Sequence, residues 1–484
     1  MRLSQLILDV MQNPPALFYS NGGAHLDTRK TFLKIRNGLI KSHDKIRPVG
    51  IRLPKEPEYF LCILACMELG IPYVPLKEDF PENRINEIAE DADIIFFIDK
   101  DFLESLEDDV PTPTTIIADR ELSEDMPLYI IFTSGSTGRP KGVVISRGAF
   151  SSYLNWLEQY FPQIDSEDRL LQVTEFTFDI SLIDLVLYLT KKPSLYFTDF
   201  GGAIFKMAQE ITKYKITTIN TVPNNINMLL SDFIASKADF SSLRWVMIGG
   251  ARLSFGLYEK LCKYFSDKFV SNFYGPTEFT IYSHAKTIRF NETEDCIDAN
   301  VSIGIPNSNV HAEIYNDGGF CKAGETGELV LSGKQIMNNY VNNSEKTNEA
   351  IINIEGTAYY KTGDLSYKND LNEFFVTGRL DDTIKYRGYR INLLDIDSYI
   401  TKLPYVEDVA TIAVADEIKE NITVSFIILK KITNEEISAS RIKQDLKDIV
   451  VDYQVPEKIK LVSKFPINTS GKVCKKKLLE EYKK

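Results

Sequence analysis

This sequence predicts an α/β protein with parallel sheets, and three observations carry that prediction. Short apolar runs rich in β-branched and aromatic residues alternate with segments of helical spacing. The runs stop at glycine or proline, as buried strands of such sheets do. A chain of 484 residues also exceeds what one hydrophobic core holds, so two or more domains are expected.

The elements follow in order. The opening Met1 to Asp9 reads as an amphipathic helix rather than a signal peptide, because Asp9 interrupts the apolar stretch. Leu128 to Phe132 is a buried strand running into a Gly/Ser/Thr loop. Ile216 to Val222 is a strand stopped by Pro223, Arg244 to Ile248 one stopped by Gly249-Gly250, and Phe269 to Tyr274 one stopped by Gly275-Pro276. Between them, Phe205 to Lys213 and Leu257 to Phe265 have helical spacing. In such sheets ligands bind beyond the carboxyl ends of strands, and three of these ends carry polar, glycine-rich loops.

Composition narrows the classes of function. With 44% hydrophobic and 26% charged residues, a globular protein is expected, and no apolar run approaches the ~18 residues that cross a bilayer. A net charge of -12 argues against nucleic acid as a partner. The six cysteines are scattered without metal-ligand spacing, which suits buried thiols and a reducing cytoplasm. His25, His43, His284 and His311 are too far apart to suggest a metal cluster or a histidine-activated nucleophile. Residues 381–484 carry 19 Lys+Arg against 17 Asp+Glu, whereas the remainder carries 37 against 51; this asymmetry points to a domain boundary near 380.

The strongest local signal is Thr133-Ser134-Gly135-Ser136-Thr137-Gly138-Arg139-Pro140-Lys141-Gly142. Glycines allow close backbone approach, hydroxyls and amides donate to phosphate oxygens, and Lys141 adds charge. It is not a Walker loop, because Pro140 precedes the lysine and Gly142 follows it. This run resembles the phosphate loop of the acyl-adenylate-forming superfamily, which includes nonribosomal peptide synthetase adenylation domains, acyl-CoA synthetases and firefly-type luciferases. Further motifs follow in that family's order: Phe178-Asp179-Ile180-Ser181, Asn272 to Glu278, Tyr360 to Asp364, Gly378 to Asp381, Lys385 to Arg390 and Asn468 to Lys472. The resemblance spans almost the whole chain. It implies a large N-terminal domain (1–379) of parallel-rich α/β sheets with a β-subdomain, and a small, mobile α+β C-terminal domain (380–484) acting as a lid.

Acyl-adenylate formation is in-line attack of a carboxylate on the α-phosphate of ATP, with pyrophosphate leaving. The substrate supplies the nucleophile, so the protein must position two anions and neutralise charge. The resemblance implies ATP and Mg²⁺ as cofactors. It places Thr133, Ser134, Gly135, Ser136, Thr137, Gly138 and Lys141 at the β- and γ-phosphates, Tyr274 against adenine, Asn272 at its amino edge, and Gly275 in the ATP site. Thr277 would contact the α-phosphate, Glu278 bind Mg²⁺, Asp364 take the ribose hydroxyls with Arg379 assisting, and Lys472 bridge the α-phosphate and the substrate carboxylate. Catalysis would thus rest on Lys472, Thr277 and Lys141. One departure is Ser146-Arg147, where related sequences commonly carry His.

The Phe178 to Ser181 motif resembles the amino-acid-activating branch, where the aspartate pairs with the substrate ammonium. By the same resemblance, Asp179, Ile180, Ile183, Thr221, Met247, Gly249, Phe273, Ile281 and Tyr282 line the pocket, with Lys472 as lid. Apart from Asp179 none of the lining side chains is charged, and Phe273 stands where many relatives have a smaller residue. A small or medium neutral α-amino acid is therefore expected. Phe178 to Asp184 also resembles the D-alanine–carrier protein ligases, although Gly249 stands where those have Cys. An acyl- or aryl-CoA ligase is the alternative that Asp179 opposes. Asp381 would be the hinge of the lid, and Gly388 would leave room for a pantetheine thiol. The chain ends twelve residues after Lys472 without a carrier domain, so a carrier protein acting in trans is the expected acceptor, with free coenzyme A as the alternative. Neither nucleic acid nor membrane is an expected partner.

Overall fold

The alternating apolar runs form two sheets that share the N-terminal unit of the protein. The computed structural model describes the chain except for residues 1–2, 21–24, 44–46, 108–121, 134–139, 200, 202, 298–299, 317–318, 381–382, 387–388, 417–419, 431–436, 467–472 and 484. The chain divides into two compact units. One comprises residues 1–78, 89–132 and 142–380; the other comprises 79–88, 133–141 and 381–484.

In the first unit an eight-stranded sheet runs in the order Leu17–Phe18, Ser194–Phe197, Arg169–Gln172, Thr218–Thr221, Trp245–Ile248, Phe269–Tyr274, His284–Ile288, Ile305–Pro306. The pairs are parallel from the first strand to Phe269–Tyr274, and the last two strands add antiparallel. Both faces are covered, as a parallel sheet requires. Leu170, Trp245, Met247 and Phe273 face one core, and Leu171, Ile219, Val246, Ile248 and Val270 face a second. A six-stranded sheet contains Pro127–Thr133 and Lys141–Ser146, the two strands that flank the phosphate loop. The β-subdomain is a six-stranded sheet in which Thr357–Lys368 pairs antiparallel with Gly327–Gly333, Ile351–Ile354 and Phe374–Arg379.

One expected strand is shorter than its sequence suggests. Thr218–Thr221 begins two residues after Ile216. The amide of Ile216 instead donates to the carbonyl of Ile211, closing the end of the Ile204–Tyr214 helix, and the Thr217 hydroxyl donates to Asp168 at 2.6 Å. The departure at Ser146-Arg147 has a structural role. Ser146 caps the Arg147–Tyr160 helix by accepting from the amide of Ala149, and Arg147 donates to the Met67 carbonyl at 2.6 Å and the Ser4 hydroxyl at 2.9 Å.

The second unit has its own core. Val406–Asp416 pairs antiparallel with Glu420–Leu429, which pairs parallel with Lys458–Leu461. Helices Leu393–Thr401, Ala439–Lys447 and Lys475–Lys483 accompany this sheet, with Ile400, Ile427 and Ile442 buried together. Strands Thr383–Tyr386 and Tyr389–Asn392 form a hairpin, with its connection and Gly388 outside the described residues.

Helix Thr28–Ser42 is locked to helix Pro57–Leu69 by a buried ion pair, Arg36 Nε to Glu68 Oε2 at 2.7 Å. Removing one partner of such a pair leaves a buried charge, whereas replacing both by apolar groups is close to neutral. Arg36→Leu should therefore cost about 3–5 kcal/mol in urea denaturation followed by circular dichroism, and Arg36→Leu with Glu68→Leu should recover most of it. Equal losses in the single and double variants would show that the pair contributes only packing.

Candidate active site

Register brings the site together. Ile248 lies opposite Thr221 on one side and Asn272 on the other, and the amide of Gly249 donates to the Thr221 carbonyl at 3.2 Å. Thr221 and Ile248 thus end their strands level with Asn272, the third strand continues to Tyr274, and Gly249 and Phe273 follow one position further on.

Asp179 sits on a 3₁₀ turn, Asp179–Ser181. The Ser181 hydroxyl closes the turn onto the Phe178 carbonyl at 2.7 Å, and Asn220 ties it to the sheet by donating to the Ile180 carbonyl at 2.8 Å. The carboxylate is almost completely buried. Burial holds the hydroxyls of Tyr129, Tyr153 and Tyr282 protonated far above the usual phenol range, and the negative charge of Asp179 adds to the effect at all three. Asp184, one turn further on, is fully buried, and burial raises its carboxyl well above the usual range despite the Asn220 amide and the Lys55 charge.

A second cluster surrounds Tyr274. Its hydroxyl donates to Asp364 Oδ2 at 2.5 Å, and Arg379 donates to Asp364 Oδ1 at 2.6 Å. Asp364 and Arg379 face each other in register across the β-subdomain hairpin. The sheet edge and the subdomain therefore meet at one carboxylate. Asn272 is buried and donates to the Ser302 carbonyl at 2.8 Å.

After Tyr274 the backbone turns sharply. A Cβ at Gly275 would overlap the Ile281 carbonyl and stand 2.6 Å from Tyr282 Cα, so only glycine fits there. Thr277 and Glu278 open the 3₁₀ turn Thr277–Phe279. Glu278 is buried and accepts from the Tyr340 hydroxyl at 2.8 Å. Tyr340 pairs with Val143 of the strand that leaves the phosphate loop, so one residue links that strand to the carboxylate. A single carboxylate held in this way suits Mg²⁺, which binds through one or two carboxylates together with substrate phosphates and water. Among the described residues no cluster of three or more His, Cys, Asp or Glu forms an all-protein metal site.

The following corner is strained. Thr280 and Ile281 have φ of 51° and 71°, unfavourable for a threonine and an isoleucine by of order 1–3 kcal/mol each. The buried Gln335 side chain opposes this strain by donating to the carbonyls of Phe279 (3.3 Å), Thr280 (3.2 Å) and Tyr282 (3.0 Å). Asn307 donates to Gln335 Oε1 at 2.6 Å.

Thr133 ends the strand Pro127–Thr133 and Lys141 begins Lys141–Ser146. Ser134, Gly135, Ser136, Thr137, Gly138, Asp381, Gly388 and Lys472 lie outside the described residues. Gln335, Asn307 and Tyr340 were not anticipated from the sequence.

Comparison with known proteins identifies the family. The family model described as AMP-binding enzyme matches residues 27–341, and its AMP-binding enzyme C-terminal domain matches residues 395–472. The chain belongs to the AMP-binding enzyme family, and it is an adenylating ligase that uses ATP. It is 30% identical over 468 residues to a D-alanine–D-alanyl carrier protein ligase of Listeria monocytogenes serotype 4b, covering 91% of this chain and 90% of that one. It is 29% identical over 454 residues to a dimodular nonribosomal peptide synthase of Bacillus subtilis, covering 89% of this chain and 18% of that protein. Similar solved structures include the amide bond synthetase McbA from Marinactinospora thermotolerans (TM-score 0.84, 19% identity, 100% of both chains). Another is NpsA-ThdA, an artificially fused adenylation–PCP di-domain from Klebsiella oxytoca (TM-score 0.80, 19% identity, 95% of this chain and 93% of that one). Among the described residues no helix is long and apolar enough to cross a membrane.

His284 lies beside Tyr274, ring centroids 5.7 Å apart, and burial pushes its imidazole down to about 3 from the usual 6.5. The unfolded chain therefore binds a proton in this range that the folded chain refuses. Stability from this residue is complete above pH 6.5 and falls as pH drops toward 3. The slope should be up to ~1.4 kcal/mol per pH unit. Urea titrations between about pH 6 and pH 4 should show a steeper loss in the wild type than in His284→Gln; parallel slopes would mean that His284 is protonated in the fold.

Proposed function

We propose that this chain activates a small or medium neutral α-amino acid and passes it to the phosphopantetheine thiol of a carrier protein supplied in trans. The observation that carries the amino-acid reading is Asp179, a carboxylate that is buried rather than on the surface. A buried carboxylate selects a cationic group, and the α-ammonium of an amino acid supplies one where a fatty or aryl acid does not. Similarity over nine-tenths of its length to a ligase named for D-alanine and its carrier protein supports the carrier as acceptor. D-Alanine is among the candidate substrates.

In this reading ATP binds across Tyr274, Asp364 and Arg379, with Mg²⁺ held by Glu278 and supplying charge neutralisation at the phosphates. Glu278 is oriented for this by the Tyr340 hydroxyl. The substrate carboxylate oxygen attacks the α-phosphorus and pyrophosphate leaves. Lys472, Thr277 and Lys141 meet the charge that develops, which accounts for a site built without a histidine base. The carrier thiolate then attacks the acyl carbon and AMP leaves. Asp381 is the proposed hinge between the two steps, and Gly388 lines the thiol's path.

Pyrophosphate exchange should require Mg²⁺, ATP and a neutral amino acid. Asp179→Ala should remove the preference for an amino acid over its deaminated analogue; exchange confined to acids without an α-amino group would overturn the amino-acid reading.

The two half-reactions should separate by mutation. Lys472→Ala is expected to slow adenylation by ~10²–10³-fold in single-turnover assays while transfer from preformed aminoacyl-AMP persists. Gly388→Trp should do the reverse. Equal slowing of both steps by Lys472→Ala would rule out a lid that changes position between them.

A further inference from the structure

Among the residues proposed to line the amino-acid pocket, Tyr282 packs over Gly249. The Tyr282 hydroxyl lies against Gly249 so closely that a Cβ there would overlap it, and would stand 2.8 Å from Cε1 of the ring. The ring stacks on Phe273, centroids 4.8 Å apart and planes 10° from parallel. Phe273 is in turn backed by Trp156, Tyr160 and Phe161 at 5.5–6.3 Å, so it cannot retreat. The exposures show what this does to the pocket. Ile183, Met247, Ile281 and Tyr282 are 0% exposed, and Thr221 and Phe273 are 1% exposed. Asp179 and Ile180 are also buried, at 6% exposed each. The side-chain end of the site is filled.

Tyr282 is aimed inward by the strained corner that precedes it. Nothing local favours positive φ at Thr280 and Ile281, since neither is a glycine or asparagine. The corner persists because the Gln335 amide donates to three of its carbonyls and Asn307 orients that amide. The hydroxyl of Thr280 returns a bond to the Gln335 carbonyl. Gln335 lies within the segment that also carries Tyr340, so the clamp and the partner of Glu278 share one stretch of chain.

We infer that Tyr282, held over Gly249 by the Gln335 clamp, restricts this enzyme to α-amino acids whose α-carbon carries hydrogen or a methyl group. Gln335 is then a positioning residue for specificity. The inference rests on the amino-acid reading above and narrows it. It also explains why glycine stands at 249: any side chain there would compete with the Tyr282 hydroxyl for the same volume.

The test is pyrophosphate exchange over glycine, both enantiomers of alanine, serine, valine, leucine and phenylalanine, with propionate and benzoate as controls. The wild type should use glycine or alanine at least 100-fold better than leucine or phenylalanine. Tyr282→Ala should admit valine or leucine and leave the KM for ATP within about threefold. Gly249→Ala should lose activity, and Tyr282→Ala should restore it in the double variant. Gln335→Leu should raise the KM for the amino acid and relax side-chain discrimination without a matching rise in the KM for ATP. If it does not fold, the Gly249→Ala and Tyr282→Ala pair still decides the pocket. Wild-type exchange with leucine or phenylalanine as strong as with glycine would overturn the closed pocket and leave the amino-acid reading standing. Exchange with the control acids alone, or with no acid, would overturn the underlying reading instead. A rise in the KM for ATP equal to that for the amino acid in Gln335→Leu would reduce the glutamine to general support.

Discussion

The site depends on the register of the Trp245–Ile248 strand with its two parallel neighbours. Thr221 and Ile248 end level with Asn272, and the Phe269–Tyr274 strand runs two residues further. Gly249 and Phe273 follow at the next position, and Tyr274 reaches the β-subdomain through Asp364. A slip of one residue would turn Phe273 and Met247 to the opposite core and bring Asn272 inward. The alternation of Val246, Ile248 and Val270 on one face with Trp245, Met247 and Phe273 on the other opposes such a slip, since each face has its own apolar cluster.

Much of this was legible in the sequence, in a particular sense. Residues that work through local geometry announce themselves: a strand that ends in glycine, a proline after a tyrosine, an aspartate before a serine on a short turn. The Phe269–Tyr274 strand has the bounds that its apolar run suggests, and Asp364 and Arg379 meet as their motifs imply. The residues that escaped notice work across long separations. Gln335 reaches back 55 residues to Thr280, and Tyr340 reaches 62 to Glu278. An isolated glutamine or tyrosine in a polar stretch gives no sign of such a partner. Gly249 falls between these cases. Its place as a strand stop was readable, but the reason that no larger residue fits lies in a tyrosine hydroxyl 33 positions later.

The electrostatics favour a site that neutralises charge rather than one that shuttles protons. Burial keeps the phenols around Asp179 protonated, and His284 stays neutral through the physiological range. None of these groups is poised to exchange a proton near pH 7. That matches a chemistry in which the nucleophile arrives already ionised.

The aromatic wall behind Phe273 has a spectroscopic consequence. The chain contains two tryptophans, and both belong to this wall: Trp156 packs edge-on to Phe273, and Trp245 packs against Phe161 and Phe269. Neither lies in residues 381–484. Intrinsic indole emission is thus an internal reporter of the proposed amino-acid end of the site, undiluted by signal from the C-terminal region. Emission changes on adding an amino acid would report on the ring stack, while events confined to the C-terminal region would need an introduced label to be seen.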